Sequence, residues 1–285
     1  MVKAPGNSTP TVLTTAPVSS PATAPAASTT ASTTASTGAG TTPARTTITT
    51  VTPTAPTAPT APVATTSATT APVAASPCPA GVAGQLASTG GGQQLVTVVA
   101  SSTQSTAATL TLWQRSGSCW TVDDGPWTAR VGFNGLSSHH REGDGTTPTG
   151  LYAIGSEFYG LAPDPGVHGS YHPLVCGDWW DEDPASAQYN TFQHLACGVT
   201  PPFGGGSEAL WQQAVAYQRF AVVDYNTGPV VPGAGSAIFI HDDTGSGTNG
   251  CVSLPASELD TLLRWLQPAL GPHIAIGTTG SIAQY

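Results

Sequence analysis

Runs of β-branched residues and short alternations fill the last two-thirds of the chain. Gln94–Ala100 (QLVTVVA) and Ala108–Arg115 (ATLTLWQR) predict strands, separated by a Ser/Thr/Gln segment. Cys119–Val122 and Trp127–Gly132 predict two more, with turns at Ser116–Ser118 and Asp123–Pro126. Arg141–Gly150 (REGDGTTPTG) is a Gly-rich loop, and Leu151–Ile154 returns to strand. Residues 160–206 carry no period and are dense in Pro, Gly, His and Trp, so they are expected to be irregular. Ser207–Arg219 predicts a helix, with Ser207 as cap and Leu210, Ala214 and Tyr217 on one face. Phe220–Tyr225 and Ser236–His241 (SAIFIH) read as buried strands. A second helix is expected from Pro255 to Leu266, where Leu259, Leu262, Leu263 and Leu266 keep one face and proline suits the first turn. Pro268 and Gly271–Pro272 stop it, and His273–Ile276 is a last short strand. Many strands with two short helices predict a mainly β fold, a sandwich or open barrel.

The first 77 residues are different material. They are almost wholly Thr, Ala, Pro, Ser and Val, with Lys3 and Arg45 as the only charges and no acid, His, Cys or aromatic residue. Such a chain cannot bury enough apolar surface to offset its ordering entropy. Residues 1–77 are therefore expected to be a disordered stalk or linker, extended by prolines such as those of Thr54–Pro62 (TAPTAPTAP) and open to glycosylation. Residues 78–285 are expected to form one domain.

That domain holds five arginines, no lysine and all sixteen acids, a net of −11. With no basic cluster, a nucleic-acid partner is excluded, and no run of 18 apolar residues predicts a transmembrane segment. Met-Val-Lys is followed by Ala, Pro, Gly and Asn rather than an apolar run, so this start does not read as a signal peptide. A Thr/Pro stalk and paired cysteines nevertheless point to export, to the extracellular space or cell wall, with the true start upstream or trimmed. A cytoplasmic protein is the alternative.

Five cysteines leave one over. Four of them allow three pairings; Cys176–Cys197 would close the irregular insert, and Cys78–Cys119 would tie the domain's start to the third strand. The rival is a zinc set from His172, Cys176, His194 and Cys197.

The odd thiol, Cys251, lies in the stretch that carries chemistry, AIFIHDDTGSGTNGCVSLP, Ala237–Pro255. A strand delivers His241 at its end, a nine-residue Gly-rich loop follows, and Cys251 precedes the second helix. Only the thiolate attacks carbonyls well, so a thiol of ordinary pKa ~8.5 needs a base nearby, and an imidazole can serve. Gly250 allows close backbone approach, and the amides around Asn249–Cys251 could hold an oxyanion. Singly, Cys251 reads as a small buried hydrophobe and His241 as a core histidine; the setting joins them. Asp242 and Asp243 would disfavour a thiolate and favour an imidazolium, or else be solvated turn residues. His139 and His140 read as loop residues, and Arg141 as a carboxylate ligand or half of a surface ion pair.

This stretch resembles the signature of the YkuD-type L,D-transpeptidase catalytic family, a strand ending in His, a Gly-rich loop, then S/T-x-G-C-h-x-[LM]. Thr248, Gly250, Cys251, Val252 and Leu254 fill it. Arg141–Tyr152 (REGDGTTPTGLY) resembles the family's D-G-x-T-P-x-G-x-[FY], and Trp179–Asn190 (WWDEDPASAQYN) its W-V-D-D-P-x-S-x-x-Y-N segment in secreted actinobacterial-type members. The resemblance spans about residues 92–277 and leaves out the tail.

The resemblance implies a secreted, mainly β cysteine enzyme acting on peptidoglycan stem peptides without metal or cofactor. It makes Cys251 the nucleophile, His241 general base then acid, and the Asp242 carbonyl the third member. The cysteine would take the acyl group of the third stem residue as D-Ala leaves. An amine acceptor would give a 3→3 cross-link, and water an L,D-carboxypeptidase. A carbapenem-like β-lactam would acylate the same thiol. Thr248, Ser253 and Arg141 are the candidate substrate contacts. Two departures stand out: Asn249 replaces a His common two positions before the cysteine, and Ser253 replaces an Arg common two positions after it. They leave a catalytically weak wall-binding module and a stem-peptide cysteine hydrolase as competing readings.

Overall fold

The computed structural model describes residues 78–204 and 206–285; the expected stalk, 1–77, lies outside the described residues. Fourteen strands and one α-helix follow in chain order: β1 (Gln94–Ala100), β2 (Ala107–Ser116), β3 (Cys119–Arg130), β4 (Leu136–Ser137), β5 (Thr147–Pro148), β6 (Gly150–Gly160), β7 (Ser170–Pro173), β8 (Asp178–Asp181), β9 (Thr191–His194), β10 (Glu208–Ala209), β11 (Phe220–Val223), β12 (Phe239–Asp242), β13 (Val252–Leu254), α1 (Ala256–Trp265) and β14 (His273–Thr278). The fold is mainly β, as expected, with one α-helix instead of two.

In the main sheet β1 runs antiparallel to β2, with Val98 opposite Leu110, and parallel to β14, with Val98 opposite Ile276. The series continues through β3 and β13 to β12 and β11 on one side, and through β6 to β7 on the other. A further pairing of β11 with β6, Ala221 opposite Phe158, curls the sheet back on itself. Alternating residues of these strands make the core: Val96, Val98, Leu110, Leu112, Phe158, Ile240, Val252 and Ile274 are buried. Leu259, Leu262 and Leu263 of α1 close it from one side, as the leucine spacing required. Each such side chain contributes about 1.5–3 kcal/mol of burial.

Three expectations are corrected. Asp123–Pro126 is not a turn but the middle of the twelve-residue β3, because the β2–β3 register shifts between Leu110 and Trp113 and absorbs the Gly-Pro there. The supposed irregular region, 160–206, contains β7, β8 and β9, and β8 pairs with β9 and β10 in a small second sheet. Ser207–Arg219 is not a helix. Glu208 and Ala209 pair with Trp180 and Trp179, and Leu210–Gln212 is a short 3-10 turn. The Ser207 hydroxyl donates to the Gly204 carbonyl (2.7 Å) and accepts from the Glu182 N–H (3.0 Å), so it caps no helix. Leu210 and Tyr217 are buried all the same.

The disulfides are Cys78–Cys119 and Cys176–Cys197, and Cys251 is the free thiol. With its sulfurs bonded to each other, the zinc set cannot form. His172 and His194 instead flank the buried Asp178, at 2.9 and 2.6 Å. Burial would raise the Asp178 pKa, but the Val175 N–H and the two imidazoles hold it below the ordinary carboxylate value. Among the described residues no helix is long and apolar enough to cross a membrane.

Candidate active site

β12 and β13 lie side by side and parallel, with His241 opposite Ser253. The Gly-rich loop between them brings Cys251 back beside the start of β12. There Cys251 Sγ accepts from the Phe239 N–H (3.4 Å) and donates to the Ala237 carbonyl (3.2 Å). The Cys251 carbonyl is gripped by two hydroxyls, Thr248 Oγ1 at 2.5 Å and Thr147 Oγ1 at 3.2 Å. The loop is pinned across the sheet, since Phe133 N–H donates to the Thr248 carbonyl and Thr248 N–H to that of Val131, at 2.8 and 2.9 Å. Gly250 stands at φ 124°, and a Cβ there would come within 3.2 Å of Ile238 Cδ1 and the Thr146 carbonyl. The positive φ calls for glycine at that point, and the packing leaves a Cβ only a tight fit.

His241 and Cys251 line one cavity of about 190 Å³. Nδ1 of His241 donates to the Asp242 carbonyl at 2.7 Å. That bond sets the tautomer and leaves Nε2 as the basic nitrogen. Burial pushes the His241 pKa down, against the Asp242 carbonyl and Asp243, which favour the charged ring. Burial likewise pushes the Cys251 thiol well up; the Phe239 N–H opposes this, and Glu208 and Glu182 add to it. The resting pair is a neutral thiol and a neutral imidazole.

The other expected site residues divide. Asn249 and Thr248 line the cavity, although Thr248 spends its hydroxyl on the Cys251 carbonyl; Gly250 lies between Asn249 and Cys251 but is not part of the lining. Ser253 does not reach it; the side chain is 1% exposed and donates to Asp243 Oδ1 at 3.3 Å. Arg141 is exposed, outside the cavity lining, and makes no ion pair among the described residues; its guanidinium reaches only the His140 carbonyl, at 3.4 Å. Asp242 and Asp243 are not solvated turn residues. Asp242 is buried and accepts the Arg219 N–H at 2.9 Å, and burial pushes its carboxyl up to about 6. Asp243 pairs with Arg130 at 3.1 Å.

Several lining residues were not foreseen. His140 is buried, against Thr146 (3.1 Å) and Asp144 (2.9 Å), and burial lowers its pKa even though Asp144 opposes this. Tyr217 lays its ring edge-on to His241, with 5.8 Å between centroids, and its hydroxyl donates to Glu208. Glu142 accepts from the Ser236 hydroxyl at 2.6 Å and from Tyr189. Glu182 completes the wall. One residue outside the cavity shapes it. The Asn190 carboxamide oxygen accepts from Trp180 Nε1 and from the Ala237 N–H, both at 3.0 Å, while its NH₂ group donates to the carbonyls of Tyr225 and Asn226. Asn190 thus anchors the N–H of Ala237, the residue whose carbonyl receives the Cys251 thiol. The WWDEDPASAQYN segment carried a signal for Asn190 and for Glu182, and REGDGTTPTGLY one for Glu142; only Glu208 lies outside the family-like segments.

A strand-borne imidazole beside a single free thiol, on a mainly β sheet, is the arrangement of a cysteine acyl-transfer domain. The family model described as the L,D-transpeptidase catalytic domain, YkuD, matches residues 98–279. The chain belongs to that family, whose members modify peptidoglycan peptides. No curated protein and no solved structure matches it.

Proposed function

We propose that the protein is an exported L,D-transpeptidase that forms 3→3 peptidoglycan cross-links through an acyl-enzyme on Cys251. One observation carries this reading: the only unpaired cysteine of five shares a cavity with an imidazole whose free nitrogen is Nε2. His241 Nε2 takes the Sγ proton as sulfur attacks the carbonyl of the third stem residue. The oxyanion falls to backbone N–H groups of Asn249 and Cys251, because that of Gly250 points to Thr248 Oγ1 at 3.3 Å. The carbon–nitrogen bond breaks, and D-Ala departs with the proton held by His241. An acceptor amine then attacks the thioester, His241 takes its proton, and the sulfur leaves and regains it. Two disulfides support a location outside the cytoplasm, in or near the wall.

The high thiol pKa gives a second reading, a wall-binding module with little turnover. Incubation with purified muropeptides, followed by mass analysis, decides between them. The enzyme gives an adduct on Cys251 and new 3→3 dimers, a hydrolase gives tripeptides without added amine, and a binder gives neither. A carbapenem-like β-lactam serves as a second probe of the thiol.

A further inference from the structure

The cavity beside Cys251 has an unusual charge: three glutamates, Glu142, Glu182 and Glu208, and no lysine or arginine. They come from three separate places, the loop between β4 and β5, the end of β8, and β10. Glu142 is satisfied by Ser236 and Tyr189, and Glu208 by Tyr217. Glu182 is not: its Oε1 is sealed from solvent and has no hydrogen-bond partner among the described residues. A buried carboxyl oxygen without a partner costs free energy. Its position in the wall of a cavity that also holds a nucleophile gives that cost a use.

We infer that Glu182, with Glu208 beside it, is the docking point for the ammonium group of the acyl acceptor, and that this wall rejects an acceptor presenting a free carboxylate there. The inference rests on the acyl-transfer reading above. Burial, then the charges of Glu208 and Glu142, push Glu182 up to about 9 against the Glu208 N–H, which favours the carboxylate, so the empty wall keeps a proton at neutral pH. Asp181 adds to that rise, and Tyr217, His140, His241 and Cys251 are the other titratable groups around the cavity. An incoming ammonium replaces the proton, which leaves to solvent. In the transfer step the ammonium gives one proton to the Glu182 carboxylate. The neutral nitrogen attacks the thioester, the carbon–sulfur bond breaks, and a second nitrogen proton passes through His241 to the sulfur. The products are an amide, a thiol and a protonated Glu182, with charge conserved.

The test is direct binding, which needs no turnover. Nα-acetyl-lysine amide, a primary ammonium without a carboxylate, is titrated into the full-length Cys251→Ala protein by calorimetry in two buffers of different ionisation enthalpy. Nα-acetyl-norleucine amide is its neutral counterpart. Binding of the lysine compound at least 10-fold tighter, with proton release near neutral pH, is expected; equal affinity or no release overturns the inference, with no variant of Glu182 required. Glu182→Gln should remove both the preference and the proton release, and unchanged values would again overturn it. On preformed acyl-enzyme, Glu182→Gln should slow aminolysis by the lysine compound about 10-fold more than release by hydroxylamine, which is neutral at pH 7. If Glu182→Gln instead slows acylation by the donor and spares aminolysis, the ammonium belongs to the donor and the assignment to the acceptor fails. Failure of wild type to acylate at Cys251 would sink the transpeptidase reading, whereas the calorimetric result stands or falls separately.

Discussion

The two sides of the cavity are built by different means. On the thiol side, β12, the Gly-rich loop and β13 are contiguous in sequence and held mostly through backbone groups: Phe239 N–H, the Ala237 carbonyl and the Cys251 carbonyl. On the acid side, Glu142, Glu182 and Glu208 meet from well-separated segments; Glu142 and Glu208 are held through side chains, Ser236, Tyr189 and Tyr217, and Glu182 through none of them. The first kind of construction leaves a motif. The second is scattered: Glu142 and Glu182 lie in two separate family-like segments and Glu208 outside both, and none of them taken alone looks like a site residue. A motif therefore points directly at the thiol side, and the acid side emerges only when the fold brings its segments together.

The largest effect expected is on the thiol side. Cys251→Ala should abolish acyl-enzyme formation by a carbapenem-like β-lactam, read by intact mass. His241→Ala should slow acylation by about 10² to 10⁴, with a residual rate that climbs toward alkaline pH as the thiolate forms unaided. Wild type and His241→Ala labelling equally fast at pH 7 would remove His241 as the base.

Next comes the framework of the acid side. The Cys176–Cys197 bridge closes a loop with a sequence separation of 21 that contains Glu182 and Asn190. Replacing both cysteines by serine should cost about 3 kcal/mol, seen in denaturant unfolding, and weaken recognition of amine acceptors more than acylation of Cys251. An equal loss in both would show that the two sides are one mechanical unit. Asn190 joins them, so Asn190→Ala is the sharper instrument. It leaves Trp180 Nε1 and the Ala237 N–H unpaired and should cost about 2 kcal/mol, with slower acylation because Ala237, whose carbonyl receives the thiol, loses its anchor at the N–H. Normal stability and normal acylation together would deny it that role.

The effect that reads the acid side without any substitution is a pH dependence. Glu182 binds its proton more tightly folded than unfolded, since its folded pKa is about 9 against an ordinary 4.5. Between those values the folded state holds the extra proton, so stability falls as pH rises. Thermal melts from pH 5 to 9 should show Tm declining steadily, and Glu182→Gln should flatten that slope. A Tm that rises over this range in wild type would contradict the buried, proton-holding wall.

The legible parts of the molecule share a local cause. β1 matches its β-branched run residue for residue, and α1 its leucine spacing, because one buried face imposes a period. Cysteine parity singled out Cys251. The illegible parts depend on partners far along the chain. Glu208 and Ala209 lie in a strand rather than a helix because Trp180 and Trp179 are there to pair with them. His140 read as a loop residue, yet Asp144 and Thr146 fold back to bury it. The substrate contact expected at Ser253 came from a family position and that at Arg141 from its charge alone, and here one hydroxyl is turned to Asp243 and the other side chain faces solvent.

The pairing of β1 with β14 sets the order in which the domain can be completed. Leu95 lies opposite His273 and Thr97 opposite Ala275, partners about 180 residues apart, a separation typical of slow, topology-limited folding on the millisecond-to-second scale or beyond. Until the last dozen residues arrive, one edge of a strand rich in Leu and Val has no neighbour, and such an edge invites pairing with another chain. C-terminal truncations that spare both His241 and Cys251 should therefore yield aggregates in place of a smaller working enzyme.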